Sequence, residues 1–164
     1  AFVENKLGEL CPEAQEKLHA ALRRGEKDEP EARAQALLSC RRALKAVADA
    51  LYPAPRIPVE CANGETRDLG DDKYVNRLWQ YVAENLSSET TAHALQTTLD
   101  SLGDRVESLN TLACKGIHAS VTDYEVDLCV TLTYILVGDL LRLSEGTSAL
   151  VDSKAVIPGS LGAR

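Results

Sequence analysis

Apolar residues recur every three or four positions along most of this chain, which is the spacing of one face of an α-helix. One stripe begins after Pro30 and should end before Pro53, because proline cannot continue the hydrogen-bond ladder of a helix. Another stripe follows Ser87 or Ser88, either of which can cap a helix. The two stripes contain Leu37, Cys40, Leu44, Val47 and Leu51 in the first, and Leu95, Leu99, Leu102, Val106, Leu109 and Leu112 in the second.

Two shorter helices and an N-terminal segment have the same periodicity. Pro12 suits the first turn of a helix that should stop near Gly25. Asp71 or Asp72 is the expected cap of a further helix. Residues 1–10 form a short helix or a docking arm. The further helix has the apolar positions Val75, Leu78, Trp79, Val82 and Leu86, all of them expected in the core.

The last predicted helix differs from the others because its apolar residues cover more than one face. It begins at a capping box, in which Thr122 and Glu125 exchange hydrogen bonds with backbone N–H groups. A helix that is apolar nearly all round is buried on several sides. We therefore expect it to be either the central helix or both a core and a dimer helix. Residues 1–146 should form one domain, and residues 147–164 a flexible C-terminal tail.

Residues 53–70 are the least helical part of the chain. Asn63-Gly64 lies between two short runs and is a strong signal for a β-hairpin. The predicted fold is therefore all-α, a bundle of about five helices with a small hairpin flap inserted near residues 57–68. Gly103 lies within a helical stripe, which predicts a bend or a close helix contact there.

Composition limits the classes of function. The chain has 164 residues, a net charge of -7 and aromatic residues at only 4%. A general nucleic-acid coat would be basic, so any RNA contact must come from a local patch. No apolar run reaches the roughly 18 residues of a membrane span, and we expect a cytoplasmic protein without a membrane contact. The five cysteines include no C-x-x-C pair, so we expect reduced core thiols, no metal and no cofactor.

The turn before the last helix is the first candidate for chemistry. It reads Lys115-Gly116-Ile117-His118. Gly116 can end a helix, and Lys115 can oppose the negative end of the helix dipole, which is a purely structural explanation. His118 is the candidate catalytic residue because histidine carries protons near neutral pH. A hydrogen-bonded structural histidine is the alternative.

Arginines provide the second set of candidates. Arg41, Arg42 and Lys45 could form a small basic strip that binds phosphate, although neighbouring arginines usually form a solvated or salt-bridged edge. Arg77 is a weaker phosphate or nucleotide candidate, with pairing to an acid such as Asp71 as the alternative. No phosphate-cradling glycine loop occurs in the sequence.

Several of these segments, over about residues 30–143, resemble a group of uncharacterised bacterial helical proteins. Their helical part looks like the HEPN (higher eukaryotes and prokaryotes nucleotide-binding) superfamily. The segments are Ser39-Cys40-Arg41-Arg42-Ala43-Leu44, Leu51-Tyr52-Pro53, Asn76-Arg77-Leu78, Lys115-Gly116-x-His118-Ala119, Tyr134 and Gly138-Asp139-Leu140-Leu141.

The resemblance implies a compact and often dimeric bundle, frequently tied to phage defence or toxin–antitoxin systems. Many such proteins are metal-independent ribonucleases, with four to six residues between an arginine and the histidine that follows it. His118 matches that histidine, but none of the corresponding positions 111–113 is basic. Lys115 is too close and Arg105 too distant, and Arg41 or Arg42 would have to substitute in space.

Three functions remain open from the sequence. The favoured one is a HEPN-like module that binds nucleotide or RNA, or mediates assembly with a partner protein, in an antiviral defence system. The second is a divergent ribonuclease, in which His118 is the acid or base and Lys115 or Arg41 stabilises the phosphate charge. The third is a structural homodimerisation bundle with the last helix as its seam.

Overall fold

A computed structural model confirms an all-α bundle with a small hairpin. The structure describes residues 2–27, 29–60, 66–86, 89–114 and 121–146, except for the side chains of residues 113 and 114. The predicted turn at Asn63-Gly64, the caps at Ser87 or Ser88, the Lys115–His118 turn and the tail lie outside these ranges. The elements are α1 (Phe2–Leu10), α2 (Pro12–Gly25), α3 (Pro30–Leu51), β1 (Val59–Glu60), β2 (Thr66–Arg67), α4 (Tyr74–Asn85), α5 (Glu89–Cys114) and α6 (Asp123–Ser144).

Local chemistry accounts for the starts of α2, α3 and α6, but not for the start of α4. Pro12 and Pro30 lie in the first turns of α2 and α3, where a missing N–H costs nothing. The backbone N–H of Glu125 donates to Thr122 Oγ1 at 3.3 Å, which forms half of the predicted capping box. The prediction that Asp71 or Asp72 caps α4 is wrong, because Lys73 occupies that position and no side chain caps the helix.

Helix α6 is central, as its apolar pattern predicted. It packs against α1, α2, α3 and α5. Close approach of α1 depends on Gly138, where an added Cβ would lie 3.1 Å from a methyl group of Val3. The fully or largely buried side chains of α6 are Val126, Cys129, Val130, Thr133, Leu136, Val137, Leu140, Leu141 and Leu143.

Helix α5 meets α4 at the predicted glycine. A Cβ added at Gly103 would lie 2.8 Å from Cγ2 of Val75, closer than two such atoms can approach. Gly103 therefore marks a close helix contact. None of the described helices is both long and apolar enough to cross a membrane.

The hairpin flap pairs Val59 with Arg67 and Glu60 with Thr66 in antiparallel register. It leans on the bundle, since the guanidinium carbon of Arg67 lies 3.4 Å from the ring centroid of Trp79. Trp79 is only half-buried. Its predicted place in the core is therefore wrong in part, because one face of its ring is covered by the flap.

Three of the five cysteines are described in full, and all three are buried and free: Cys11, Cys40 and Cys129. The Cys11 thiol donates to the carbonyl oxygen of Ala46 at 3.4 Å, which ties the start of α2 to α3. Burial raises the pKa of Cys40 to about 12 and the pKa of Cys129 to about 11. The Cys40 and Cys129 thiols are therefore core groups with little thiolate character.

Candidate functional site

The candidate catalytic residues Lys115 and His118 lie outside the described residues. The predicted site residues that the structure describes are three arginines: Arg41 and Arg42 on α3, and Arg77 on α4. The structure separates these three side chains into different environments.

Arg41 and Arg42 diverge because successive residues of a helix point about 100° apart around its axis. Nε of Arg41 lies 3.4 Å from a carboxylate oxygen of Glu107, so this cation faces α5. Burial raises the pKa of Tyr74, and the neighbouring charge of Arg41 opposes that rise. Arg41 therefore forms a half-exposed ion pair that links α3 to α5.

Arg42 lines an open depression of about 320 Å³ between α2 and α3. The connection between these helices is short, so they run antiparallel and the start of α2 lies beside the later turns of α3. Positions 42, 45 and 49 share one face of α3 at helical spacing. The depression is lined by Glu13, Lys17, Arg42, Lys45, Ala46 and Asp49.

Most charges of this depression are already paired. Lys45 Nζ lies 3.0 Å from Asp49 and 3.2 Å from Asp71. Lys17 Nζ lies 3.3 Å from Glu16. Arg42 is exposed and makes no ion pair with any residue in the described ranges. It is therefore the cation of this surface that is open to an anionic ligand.

Arg77 has the opposite environment, with a side chain that is 0% exposed. Its Nη1 donates to the carbonyl oxygen of Tyr52 at 3.1 Å, and its Nη2 to that of Asp71 at 2.9 Å. Its Nη1 also lies 2.8 Å from a carboxylate oxygen of Asp49. Arg77 thus joins the end of α3 to the turn before α4, and it is not accessible to a phosphate in this structure.

The Asp49 carboxylate links the two arginine environments. Burial by itself would raise the pKa of Asp49, but hydrogen bonds from Lys45 and Arg77 outweigh it and hold the pKa below its ordinary value. The same hydrogen bond from Lys45 to Asp49 raises the pKa of Lys45. Asp49 is therefore an ionised and doubly paired carboxylate at neutral pH, which makes it a poor general base.

Sequence reasoning missed two features. Lys17 joins the depression from α2, and only the antiparallel pairing of α2 with α3 could have indicated this. Arg67 covers Trp79, although a strand arginine gives no sequence signal for such a contact. Within the described ranges, no group of three histidine, cysteine or acidic side chains is arranged to hold a metal ion.

The depression therefore presents one exposed guanidinium without an ion-pair partner among the described residues. Comparisons of the chain with protein-family models, with curated proteins and with solved structures gave no match.

Proposed function

We propose that this chain is a non-catalytic helical module that binds the phosphate groups of a nucleotide or RNA in the depression between α2 and α3. The observation that carries the proposal is the unpaired, exposed guanidinium of Arg42 beside Lys17 and Lys45. A guanidinium can donate two parallel hydrogen bonds to a phosphate, and the two ammonium groups add point charges.

The local charge predicts modest affinity with strong salt dependence. Three cations line the depression against the carboxylates of Glu13 and Asp49, on a chain with a net charge of -7. Few phosphates can be neutralised at such a site, so the salt slope should correspond to one or two contacts. The defence setting, of anti-phage or toxin–antitoxin type, rests on the resemblance of residues 30–143 to HEPN-like bacterial proteins.

The test is fluorescence anisotropy with a short labelled oligouridylate and a labelled ATP analogue, between about 50 and 200 mM salt. Arg42→Gln should weaken binding about tenfold, because it removes one charge-assisted contact. Arg23→Gln is the matched control, since Arg23 is also exposed on a helix but lies outside the depression. Equal affinities of wild-type protein and Arg42→Gln would reject the proposal.

The same samples distinguish the ribonuclease alternative. If the wild-type protein cleaves RNA without added metal and His118→Ala does not, the chain is a divergent ribonuclease and not a non-catalytic module. Intact RNA throughout, with binding that depends on Arg42, supports the non-catalytic module.

Homodimerisation through α6 is the second candidate function. Tyr124 is 71% exposed and Ile135 52% exposed, on a helix whose other large apolar side chains are buried or partly buried. They share one stripe with Leu128, at helical spacing. An antiparallel pair of α6 helices would bring Asp127 of one copy toward Arg142 of the other, because these residues lie near opposite ends of the stripe. Such a contact is self-complementary, as a two-fold dimer requires.

Sedimentation equilibrium over a range of protein concentrations tests the dimer. Ile135→Glu should convert a dimer to a monomer by placing a charge in an apolar seam. Leu10→Glu is the matched control, because Leu10 is 44% exposed on a different helix. A wild-type protein that stays monomeric at every concentration would reject this candidate.

A further inference from the structure

A second concave surface lies at the base of the hairpin. It is a groove of about 450 Å³ between the chain that follows α3 and the chain that follows β2. We call it the flap groove. Its lining residues are Pro55, Arg56, Ile57, Pro58, Thr66, Arg67, Asp68, Leu69 and Gly70.

The flap groove carries an excess of positive charge. Neither the Arg56 nor the Arg67 side chain makes an ion pair with a residue in the described ranges. Asp68 is the only acidic residue among those lining the groove, and its Oδ1 accepts the backbone N–H of Gly70 at 3.0 Å. The side chains that line the groove therefore carry one net positive charge, on a chain with a net charge of -7.

Arg67 is held in place by its contact with Trp79. The guanidinium lies 3.4 Å above the ring, and this cation–π contact leaves the N–H groups at its edge available. The positive charge of Arg67 also acts on Asp100 of α5. Burial and the nearby Asp104 raise the pKa of the Asp100 carboxyl group, and Arg67 opposes that rise. A side chain fixed before binding loses less conformational entropy when a ligand arrives.

Most of the other residues that line the groove are apolar. Pro55, Pro58 and Leu69 line it, and Ile57 at its rim is 76% exposed, the most exposed of the large apolar side chains in the described ranges. An isoleucine exposed to this degree in a groove that two arginines also line suits a ligand that carries apolar groups and negative charges together.

From these observations we infer that the flap groove docks an acidic peptide segment of a partner protein, with a leucine or isoleucine against Ile57 and carboxylates on Arg56 and Arg67. Charge complementarity selects an acidic partner. The apolar wall favours a peptide over RNA, since Arg67 already covers a face of Trp79 that a base would need for stacking. This site is independent of the phosphate site around Arg42.

The chain supplies its own reporter, because Trp79 is its only tryptophan and lies under Arg67. The probe is a synthetic peptide of alternating glutamate and leucine. Two matched peptides replace every glutamate with glutamine or every leucine with alanine. Tryptophan fluorescence follows the titration of the full chain, and isothermal titration calorimetry detects binding that leaves the fluorescence unchanged.

The glutamate–leucine peptide should bind, and each matched peptide should bind about tenfold more weakly. Arg56→Gln should weaken binding of the first peptide about tenfold, and Ile57→Ser should weaken it similarly. Arg56 and Ile57 are both exposed, so these substitutions leave the fold intact. Arg23→Gln is again the control and should bind as the wild type does.

Three results would overturn the inference: no heat and no fluorescence change with the acidic peptide, equal binding by Arg56→Gln and the wild type, or oligouridylate binding that depends on Arg56. Loss of phosphate binding in Arg42→Gln with peptide binding preserved would support both sites. Peptide binding without any oligouridylate or ATP binding would reject the proposed function alone.

Discussion

Arg42 on α3 and Arg77 on α4 carry the same guanidinium group in opposite environments. The Arg77 side chain is 0% exposed and contacts Tyr52, Asp71 and Asp49. Arg42 is exposed and has no ion-pair partner among the described residues. The two environments meet at Asp49, which pairs with Arg77 and also lines the depression that contains Arg42.

The difference shows how one residue type can be fully engaged in the fold in one place and keep its donors available in another. A buried cation is tolerated only when hydrogen bonds and an opposite charge replace its water, and those contacts leave little for a ligand. An exposed cation keeps its water and contributes little to folding, so its donors stay available. Four changes, from the largest expected effect on folding to the smallest, test this contrast.

Arg77→Ala should have the largest effect. It leaves the carbonyl oxygens of Tyr52 and Asp71 without these donors and opens a cavity between α3 and α4. The free energy of unfolding should fall by about 3–5 kcal/mol, as for other broken buried pairs. Urea denaturation monitored by circular dichroism measures it. Arg77→Lys is the control. Its free energy of unfolding should lie between those of the wild type and Arg77→Ala, because lysine keeps the charge but lacks the planar guanidinium. A loss below about 1 kcal/mol in Arg77→Ala would mean that these contacts do not support the fold.

Asp49→Asn should cost roughly 2 kcal/mol at neutral pH, because it leaves the buried Arg77 without its carboxylate. The native pKa of Asp49 lies below its ordinary value of 3.8. The stabilisation is therefore fully present above pH 3.8 and is lost as pH falls through the lower native pKa. Urea denaturation of both proteins over a pH series measures the difference between them, which removes the other carboxyl groups from the comparison. A difference that grows with acidity would contradict the assignment.

Gly103→Ala tests the other side of α4. Alanine favours a helix over glycine by about 1 kcal/mol, but its Cβ would lie 2.8 Å from the stiff side chain of Val75. Overpacking of this kind costs about 1–3 kcal/mol, so a net loss of about 1 kcal/mol is expected in thermal or urea unfolding. Val75→Ala in the same chain should restore much of it. If Gly103→Ala were more stable than the wild type, α4 and α5 would have to lie farther apart at Gly103 and Val75 than the structure shows.

Much of the fold was predictable because periodicity and helix-ending residues are local signals. Pro12, Pro30 and Pro53 fix helix ends through the missing N–H and the ring, whatever the rest of the chain does. The dense apolar pattern of α6 predicted its central place. The predicted caps Asp71 and Asp72 failed because α4 begins later, with Lys73 at its N-cap, and the Asp71 carboxylate lies 3.2 Å from Lys45 of α3 instead.

The candidate site was less predictable because it depends on which charges meet in space. Nothing local to Arg42 and Arg77 shows that one is unpaired and the other buried. The partners of Arg77 lie 6, 25 and 28 positions away along the chain, at Asp71, Tyr52 and Asp49. Lys17 likewise reaches the depression only through the packing of α2 on α3. Helical periodicity identifies the buried face of a helix, but it does not identify the partner of each charge.

Arg42→Gln should have the smallest effect on folding, within about 0.5 kcal/mol of the wild type, since an exposed side chain without an ion pair contributes little. Urea denaturation measures this, and the oligouridylate titration measures its loss of binding. Arg77→Lys should show the reverse pattern, with lower stability and with RNA affinity retained in the fraction that remains folded. This double contrast separates recognition from structure, because general unfolding would lower both quantities together. A substantial loss of stability in Arg42→Gln would mean that Arg42 is a structural residue like Arg77. The depression would then not contain an unpaired cation for a ligand to bind.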